Sequence, residues 1–236
     1  MKYKRILLKL SGEVLGGVSG IGIDPDAASY FAQEIKQIHD KRVQIGIVIG
    51  GGNIFRGAKN LHFIERVTGD QMGMLATVIN ALALRDTFRQ SGMDAEVMGP
   101  ASVSAKIIPF DRGAALALLE RGTVLIFAGG TGNPFFTTDS AAALRACEID
   151  ADILLKGTKV DGVYSADPML DTSAVRYAKI TYQQALKDEL HVMDMSALAL
   201  CREQNMPIMV FNFTQRGQLF RALSGEPVGS IISNKE

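Results

Sequence analysis

The sequence predicts an α/β protein, a three-layer αβα sandwich around a mainly parallel central sheet, and three observations lead there. Short apolar runs alternate with helix-length amphipathic segments, the pattern of strands joined by covering helices. Residues 43–49 form a nearly continuous β-branched run, as expected of a strand buried on both faces. Helical segments begin at acids or proline and stop at glycines, which are the physical start and stop signals of helices.

Taken in order, residues 5–10 read as the first strand. Asp24 offers an N-cap with Pro25 at the first helical position, and Ala28, Phe31, Ile35 and Ile38 recur at helical spacing. The strand at 43–49 runs into Gly50, Gly51 and Gly52. Residues 70–90 carry Met74, Leu75, Val78, Ile79 and Leu82 on one helical face and stop at Gly92, a C-cap glycine. A short strand follows at 95–98, then a helix at 111–121 closed by Gly122 and feeding a strand at 123–127. Gly129-Gly130-Thr131-Gly132-Asn133-Pro134 interrupts the chain before a helix at 140–149. The rest repeats the theme: a strand at 152–156, helices at 182–187 and 195–204, and strands at 208–211 and 230–232. No proline-rich linker, low-complexity tract or repeat is evident, so one domain spanning 1–236 is expected, with a soft boundary between halves at about 132.

Composition narrows function. The 25 basic and 25 acidic side chains cancel without a basic block, so the footprint of a nucleic-acid binder is missing and no polymeric nucleic acid is expected as a partner. Cys147 and Cys201 are far apart, with no C-x-x-C; both read as buried apolar residues of a reducing compartment, not as zinc ligands or a disulfide. Lys9 interrupts the first apolar run too soon for a signal-peptide core, and no apolar stretch reaches membrane-spanning length. The expectation is a cytoplasmic protein without a membrane partner.

Three polar, glycine-bearing segments follow predicted strands: Lys9-Leu10-Ser11-Gly12, Gly50-Gly51-Gly52-Asn53, and residues 129–139. The C-termini of parallel strands share one edge, so these segments should converge where open α/β sheets bind ligands. Glycine allows close backbone approach, and a following helix N-terminus aims amide donors at an anion. Together they suggest a phosphate site. It is not a P-loop, because the chain has no Gly-Lys dipeptide, and Phe55 stands where a dinucleotide fingerprint needs its third glycine.

Phosphoryl transfer requires cations around the transferring group and groups that hold donor and acceptor in line. Lys9 is the leading cation, and Arg56 can fork onto a phosphate. Asp139, after Thr137 and Thr138 at a helix start, reads equally as an acid favoured by the helix dipole; Asp70 shares that ambiguity. Asp161 and Asp167 either bind a ribose hydroxyl or shape turns beside Gly162 and Pro168. The histidines, His39, His62 and His191, have no carboxylates at ligand spacing, and no residue is assigned to a metal.

The run Ala128-Gly129-Gly130-Thr131-Gly132-Asn133-Pro134-Phe135-Phe136-Thr137-Thr138-Asp139-Ser140-Ala141-Ala142 resembles the signature of the bacterial uridylate (UMP) kinases, within the amino-acid-kinase superfamily. Supporting matches are residues 8–13, 48–57, 69–77, 158–164 and 166–168, so the resemblance covers essentially the whole chain. It implies an amino-acid-kinase-like fold and transfer of the γ-phosphoryl of ATP to UMP in pyrimidine biosynthesis, with the N-terminal half as acceptor side and the C-terminal half as ATP side. By resemblance Lys9, Leu10, Ser11, Gly12 and Gly52 meet ATP phosphates, Arg56 belongs to the ATP-binding set and also holds the acceptor phosphate of UMP, and Thr158, Tyr164 and Asp167 belong to the ATP nucleoside site. Gly51, Asp70 and Thr131, Gly132, Asn133, Pro134, Phe135, Phe136, Thr137 and Thr138 hold UMP. Lys9, Arg56, Asp139 and Asp194 are the implied catalytic set. The family further implies magnesium with ATP, a homohexamer, activation by GTP and inhibition by UTP, and Gly17, Val18, Ser19, Gly20, Ile21 and Gly22 look like its GTP-responsive loop. The alternatives are a same-fold kinase with a carboxylate or carbamate acceptor, and a nucleotide sensor without catalysis.

Overall fold

The structure, a computed structural model, describes residues 1–56, 63–100, 104–166, 170–171, 173–190 and 192–235. Eleven strands are present among them: β1 (Arg5–Leu10), β2 (Gln44–Ile49), β3 (Ala95–Gly99), β4 (Ile108–Pro109), β5 (Val124–Phe127), β6 (Ile153–Thr158), β7 (Val163–Tyr164), β8 (Arg176–Tyr177), β9 (Lys179–Thr181), β10 (Ile208–Asn212) and β11 (Gly229–Ser233). Seven helices connect them: α1 (Pro25–His39), α2 (Arg66–Gln90), α3 (Arg112–Glu120), α4 (Thr138–Glu148), α5 (Tyr182–Lys187), α6 (Met195–Glu203) and α7 (Gln218–Ser224).

Nine strands form one sheet in the order β4-β3-β5-β2-β1-β6-β10-β11-β9, and β7 and β8 make a small separate ribbon. From β4 to β10 every pairing is parallel; the change of direction comes between β10 and β11. The expected mainly parallel sheet is therefore borne out, and it runs unbroken from the N-terminal to the C-terminal half.

Alternation along the strands divides the interior into two cores. Ile6, Leu8 and Leu10 of β1 face α1, α2 and α7, joining Phe31, Ile35, Leu84, Phe88, Leu219 and Leu223. Leu7 points the other way, into the core with Ala142, Ala143 and Ala146 of α4 and Leu198 and Cys201 of α6. A side-chain period of two thus places Lys9 on the same face as Leu7, under α4. The caps match the sequence signals: Asp24 accepts from Ala27 N at 2.7 Å and Asp111 from Ala114 N at 2.8 Å.

Three differences from expectation have simple causes. Helix α2 begins at Arg66, four residues before the predicted start at 70, because its N-cap, Glu65, makes no side-chain cap bond and leaves no sequence mark; Asp70 consequently lies in the second turn. Strands β4, β7, β8 and β9 are too short to show periodicity. Helix α7 is not among the expected elements, although Leu219, Ala222 and Leu223 are spaced for it and Gly225 (φ +90°) stops it. Cys201 is buried and Cys147 only partly so. Among the described residues no helix is long and apolar enough to cross a membrane.

Candidate active site

The parallel strands deliver their C-terminal ends to one edge, as the sequence requires. Leu10, Ile49, Phe127 and Thr158 are the last residues of β1, β2, β5 and β6, and the glycine-bearing segments follow them there. Their backbones are in contact: a Cβ added at Gly12 would come within 2.4 Å of Gly50 O and 2.3 Å of Asn53 Oδ1. Gly52, by contrast, has nothing within 4 Å in that direction, leaving room for a ligand against its backbone. Gly129, Gly130 and Gly132 sit at φ +76°, +60° and +83°, conformations costly for other residues.

The centre of this edge is Asp139, in the first turn of α4, whose N-cap Thr137 accepts the Asp139 amide at 2.9 Å. Lys9 Nζ lies 2.7 Å from Asp139 Oδ1, and Lys156 Nζ lies 2.9 Å from Oδ2. All three side chains are largely buried, 12 to 16 % exposed. Lys156 also donates to Val192 O. Burial would raise the Asp139 carboxyl, but the Lys9 and Lys156 ammonium groups outweigh it and hold it below the usual carboxylate range. For Lys156, burial pushes the pKa down, Asp139 opposes it, and Lys9 adds to the fall. Two cations share one anion, so the Lys9, Asp139 and Lys156 side chains together carry a net charge of about +1, with the Asp194 carboxylate acting on Lys156 from beside them.

Lys156 is not among the expected site residues, and the repeat that marks it is likewise absent from the sequence expectations. Ile6-Leu7-Leu8-Lys9 of β1 and Ile153-Leu154-Leu155-Lys156 of β6 are the same four residues, paired in parallel register with Lys9 opposite Lys156. A lysine ending an apolar strand twice over is the signal that could have found it.

The other expected residues fall into groups around this centre. Ser11 caps a short 3-10 turn through Glu13 N at 3.4 Å; Leu10 is fully buried, so only its backbone can face a ligand. Arg56, exposed, pairs with Glu13 at 2.9 Å, while Lys159 takes the other Glu13 oxygen at 3.0 Å. Asp70 accepts the Phe135 amide at 2.8 Å and is forked by Arg66 at 2.9 and 3.0 Å. Gly51 packs on α2, where an added Cβ would meet Ala76 at 2.7 Å. Thr131 closes a small turn by accepting from Asn133 N at 3.2 Å, and Pro134, Phe135 and Phe136 continue it, both rings exposed. Thr138 opens α4. Asp194 is the N-cap of α6 and accepts from Ala197 N (2.8 Å), Ser196 Oγ (2.7 Å), Ser140 Oγ (3.0 Å) and Thr137 Oγ1; burial raises its pKa and these donors more than reverse that. It ties α4 to α6 beside Lys156.

Thr158 and Tyr164 line a cavity of about 450 Å³ with Lys156, Gly162, Leu190 and Val210, the expected nucleoside position of ATP. Tyr164 donates to Asp161 at 2.6 Å. Asp167 lies outside the described residues. Of the segment Gly17 to Gly22, residues 17–20 border a different cavity, of about 400 Å³, with Glu13, Arg56 and Lys159, and Val18 and Ile21 stand fully or mostly exposed. A cavity of about 710 Å³ opens beside the C-termini of α1, α2 and α3, at the opposite edge from the glycine loops.

Comparisons with known proteins agree with this geometry. The pattern of the amino acid kinase family matches residues 4–212. A uridylate kinase of Saccharophagus degradans is 53% identical over 236 residues, covering 100% of this chain and 96% of its own. Among solved structures, the UMP kinase from Bacillus anthracis superposes with a TM-score of 0.96 at 38% identity, covering 100% of this chain and 98% of its own. The UMP kinase from Ureaplasma parvum gives 0.92 at 38% identity, with 99% and 100% covered.

Proposed function

Because the chain belongs to the amino acid kinase family, with uridylate kinases as full-length relatives, we propose that it transfers the γ-phosphoryl group of ATP to UMP, giving ADP and UDP. A UMP phosphate oxygen bonds to the γ-phosphorus as the bond to the β,γ-bridging oxygen breaks. The observation that carries this reading is the Lys9–Asp139–Lys156 cluster at the edge where the glycine loops meet. Catalysis of such a transfer is mostly positioning and charge stabilisation. Asp139 holds the two ammonium groups together, and they in turn offset negative charge on the transferring oxygens. The cavity at Thr158 and Tyr164 takes the ATP nucleoside. The Gly129–Thr138 segment, with Asp70 bonded to Phe135, takes UMP, and Arg56 neutralises the acceptor phosphate.

Among the described residues no three acids, histidines or cysteines converge on a metal position, and Asp139 is committed to two lysines. Magnesium is taken in this reading as the ion that accompanies ATP. The remaining parts of the reading are a place in pyrimidine nucleotide synthesis in the cytoplasm, a homohexamer, and control by GTP and UTP. The half-exposed Leu75 and Ile79 on α2 suit assembly, and the cavity bordered by Arg56, Lys159 and residues 17–20 suits an anionic effector.

The test is ADP release from magnesium-ATP with UMP, CMP, carbamate and acetylglutamate offered separately. Strong preference for UMP is expected; equal or better use of a carboxylate or carbamate would sink the proposal.

A further inference from the structure

Helix α2 carries three buried polar residues that the transfer chemistry does not use, Thr77, Asn80 and Arg85, and the first two face the glycine loops. Thr77 is 3% exposed and Asn80 fully buried, and burying such groups is unfavourable unless they are hydrogen-bonded. Their partners beyond the helix itself are in the loops that surround the reacting phosphates. The Gly129 amide donates to Thr77 Oγ1 at 2.8 Å, while the Thr77 hydroxyl donates to Met74 O at 2.7 Å. Asn80 Nδ2 donates to Gly50 O and to Asn53 Oδ1, both at 2.7 Å, and Asn53 Nδ2 returns a bond to Asn80 Oδ1 at 2.9 Å. Asn53 also reaches Gly22 O at 2.6 Å. Nearer the start of the helix, Asp70 accepts the Phe135 amide.

At 100° per residue, Asp70, Thr77 and Asn80 fall within an arc of about 80° on the helix. One rigid face thus grips the starts of two glycine loops, and the far part of one of them, by backbone atoms. A glycine loop has little conformational preference of its own, so its shape must be imposed from outside. Here the imposing surface is α2, which Gly51 approaches so closely that no Cβ would fit.

We propose that Thr77 and Asn80 are positioning residues for phosphoryl transfer, holding the Gly129 and Gly50 loops in the shape that lines up donor and acceptor. The role rests on the kinase reading above, and neither side chain touches substrate. Misalignment by a fraction of an ångström costs turnover more than binding, which gives the role a kinetic signature.

Thr77→Val removes the hydroxyl while keeping the side-chain shape, and Thr77→Ser restores it. For Thr77→Val, kcat per folded molecule should fall tenfold or more, with KM for ATP within twofold of wild type. Thr77→Ser should lie within twofold of wild type in kcat. Hydrogen exchange read on the protein itself should show the Gly129 amide exchanging at least tenfold faster in Thr77→Val, while amides of α1 and β1 keep their protection. Asn80→Asp, which sets a carboxylate against Gly50 O, serves as the second variant and should act in the same direction at residues 50–53. A folded Thr77→Val protein with wild-type kcat and wild-type Gly129 protection would overturn the proposal, as would a uniform loss of protection with kcat per folded molecule unchanged. If wild type fails to phosphorylate UMP but the local exchange change appears, the substrate reading falls and the positioning role stands.

Discussion

Strands β1 and β6 enter the active site with the same residues, Ile-Leu-Leu-Lys, side by side in register, yet they leave it differently. After Lys9 the chain turns at once through Ser11 and Gly12, packed backbone to backbone on the Gly50 loop. After Lys156 it continues through Gly157 and Thr158 into the nucleoside cavity and the exposed Lys159. The lysines differ as well. Lys156 divides its donors between Asp139 and Val192 O, whereas Asp139 is the one ion-pair partner found for Lys9 among the described residues. Identical sequence has been put to two uses: β6 anchors the charge cluster and opens toward ATP, and β1 leaves a freer cation beside the phosphate loops.

The sharpest way to break that contrast is to remove each lysine in turn. Loss of a preorganised charge stabiliser typically lowers kcat by about 10²–10³-fold, and Lys9→Met should fall in that range. Lys156→Met should cost less, roughly ten- to a hundredfold, because one of its donors is already spent on Val192 O. Steady-state kinetics on folded protein decide it. A Lys156→Met loss equal to or greater than that of Lys9→Met would reverse the assignment of roles.

The exits of the two strands give a second, smaller contrast. A Cβ at Gly12 would press on the carbonyl of Gly50, a backbone atom that cannot swing aside. Overpacking of this kind costs about 1–3 kcal/mol, so Gly12→Ala should lower stability by that order in urea unfolding and depress turnover. Lys159, equally just past its strand, is three-quarters exposed; Lys159→Ala should change stability by no more than about 0.5 kcal/mol. A well-tolerated Gly12→Ala would show that the β1 turn is looser than its contacts require.

Much of this arrangement is legible in the sequence, and the illegible part has a common cause. Strand runs, the Asp24-Pro25 helix start and the convergence of three glycine segments all follow from local pattern and the geometry of parallel sheets. Lys9 can be singled out because Ser11 and Gly12 follow it after a single residue, Leu10. Lys156 cannot, because nothing local distinguishes it from a strand-end lysine; its meaning comes from pairing with β1 across 147 positions of sequence. Thr77 and Asn80 are hidden for the same reason: polar residues inside an amphipathic helix look like its solvent face until the loops that cover them are in place. The early start of α2 is hidden by the lack of a capping side chain, and with it the fact that Asp70 grips Phe135 instead of heading a helix.

Alkaline titration probes Lys156 without altering either exit. Burial, reinforced by the Lys9 charge and opposed by Asp139, leaves Lys156 below its ordinary value of 10.5. Between its folded value and 10.5 the unfolded chain holds more protons at this group than the folded chain does, so its contribution to folding stability rises with pH over that interval. Turnover must move the other way, since a neutral amine no longer offsets phosphoryl charge. Wild type should therefore lose kcat on an alkaline limb lying below pH 10.5 while its stability, measured relative to Lys156→Met at each pH, increases across the same limb. That difference isolates the part of the pH dependence that requires Lys156. A limb that persists unchanged in Lys156→Met would place the titrating cation elsewhere, and the two strands would then differ only in the turns and loops beyond their lysines.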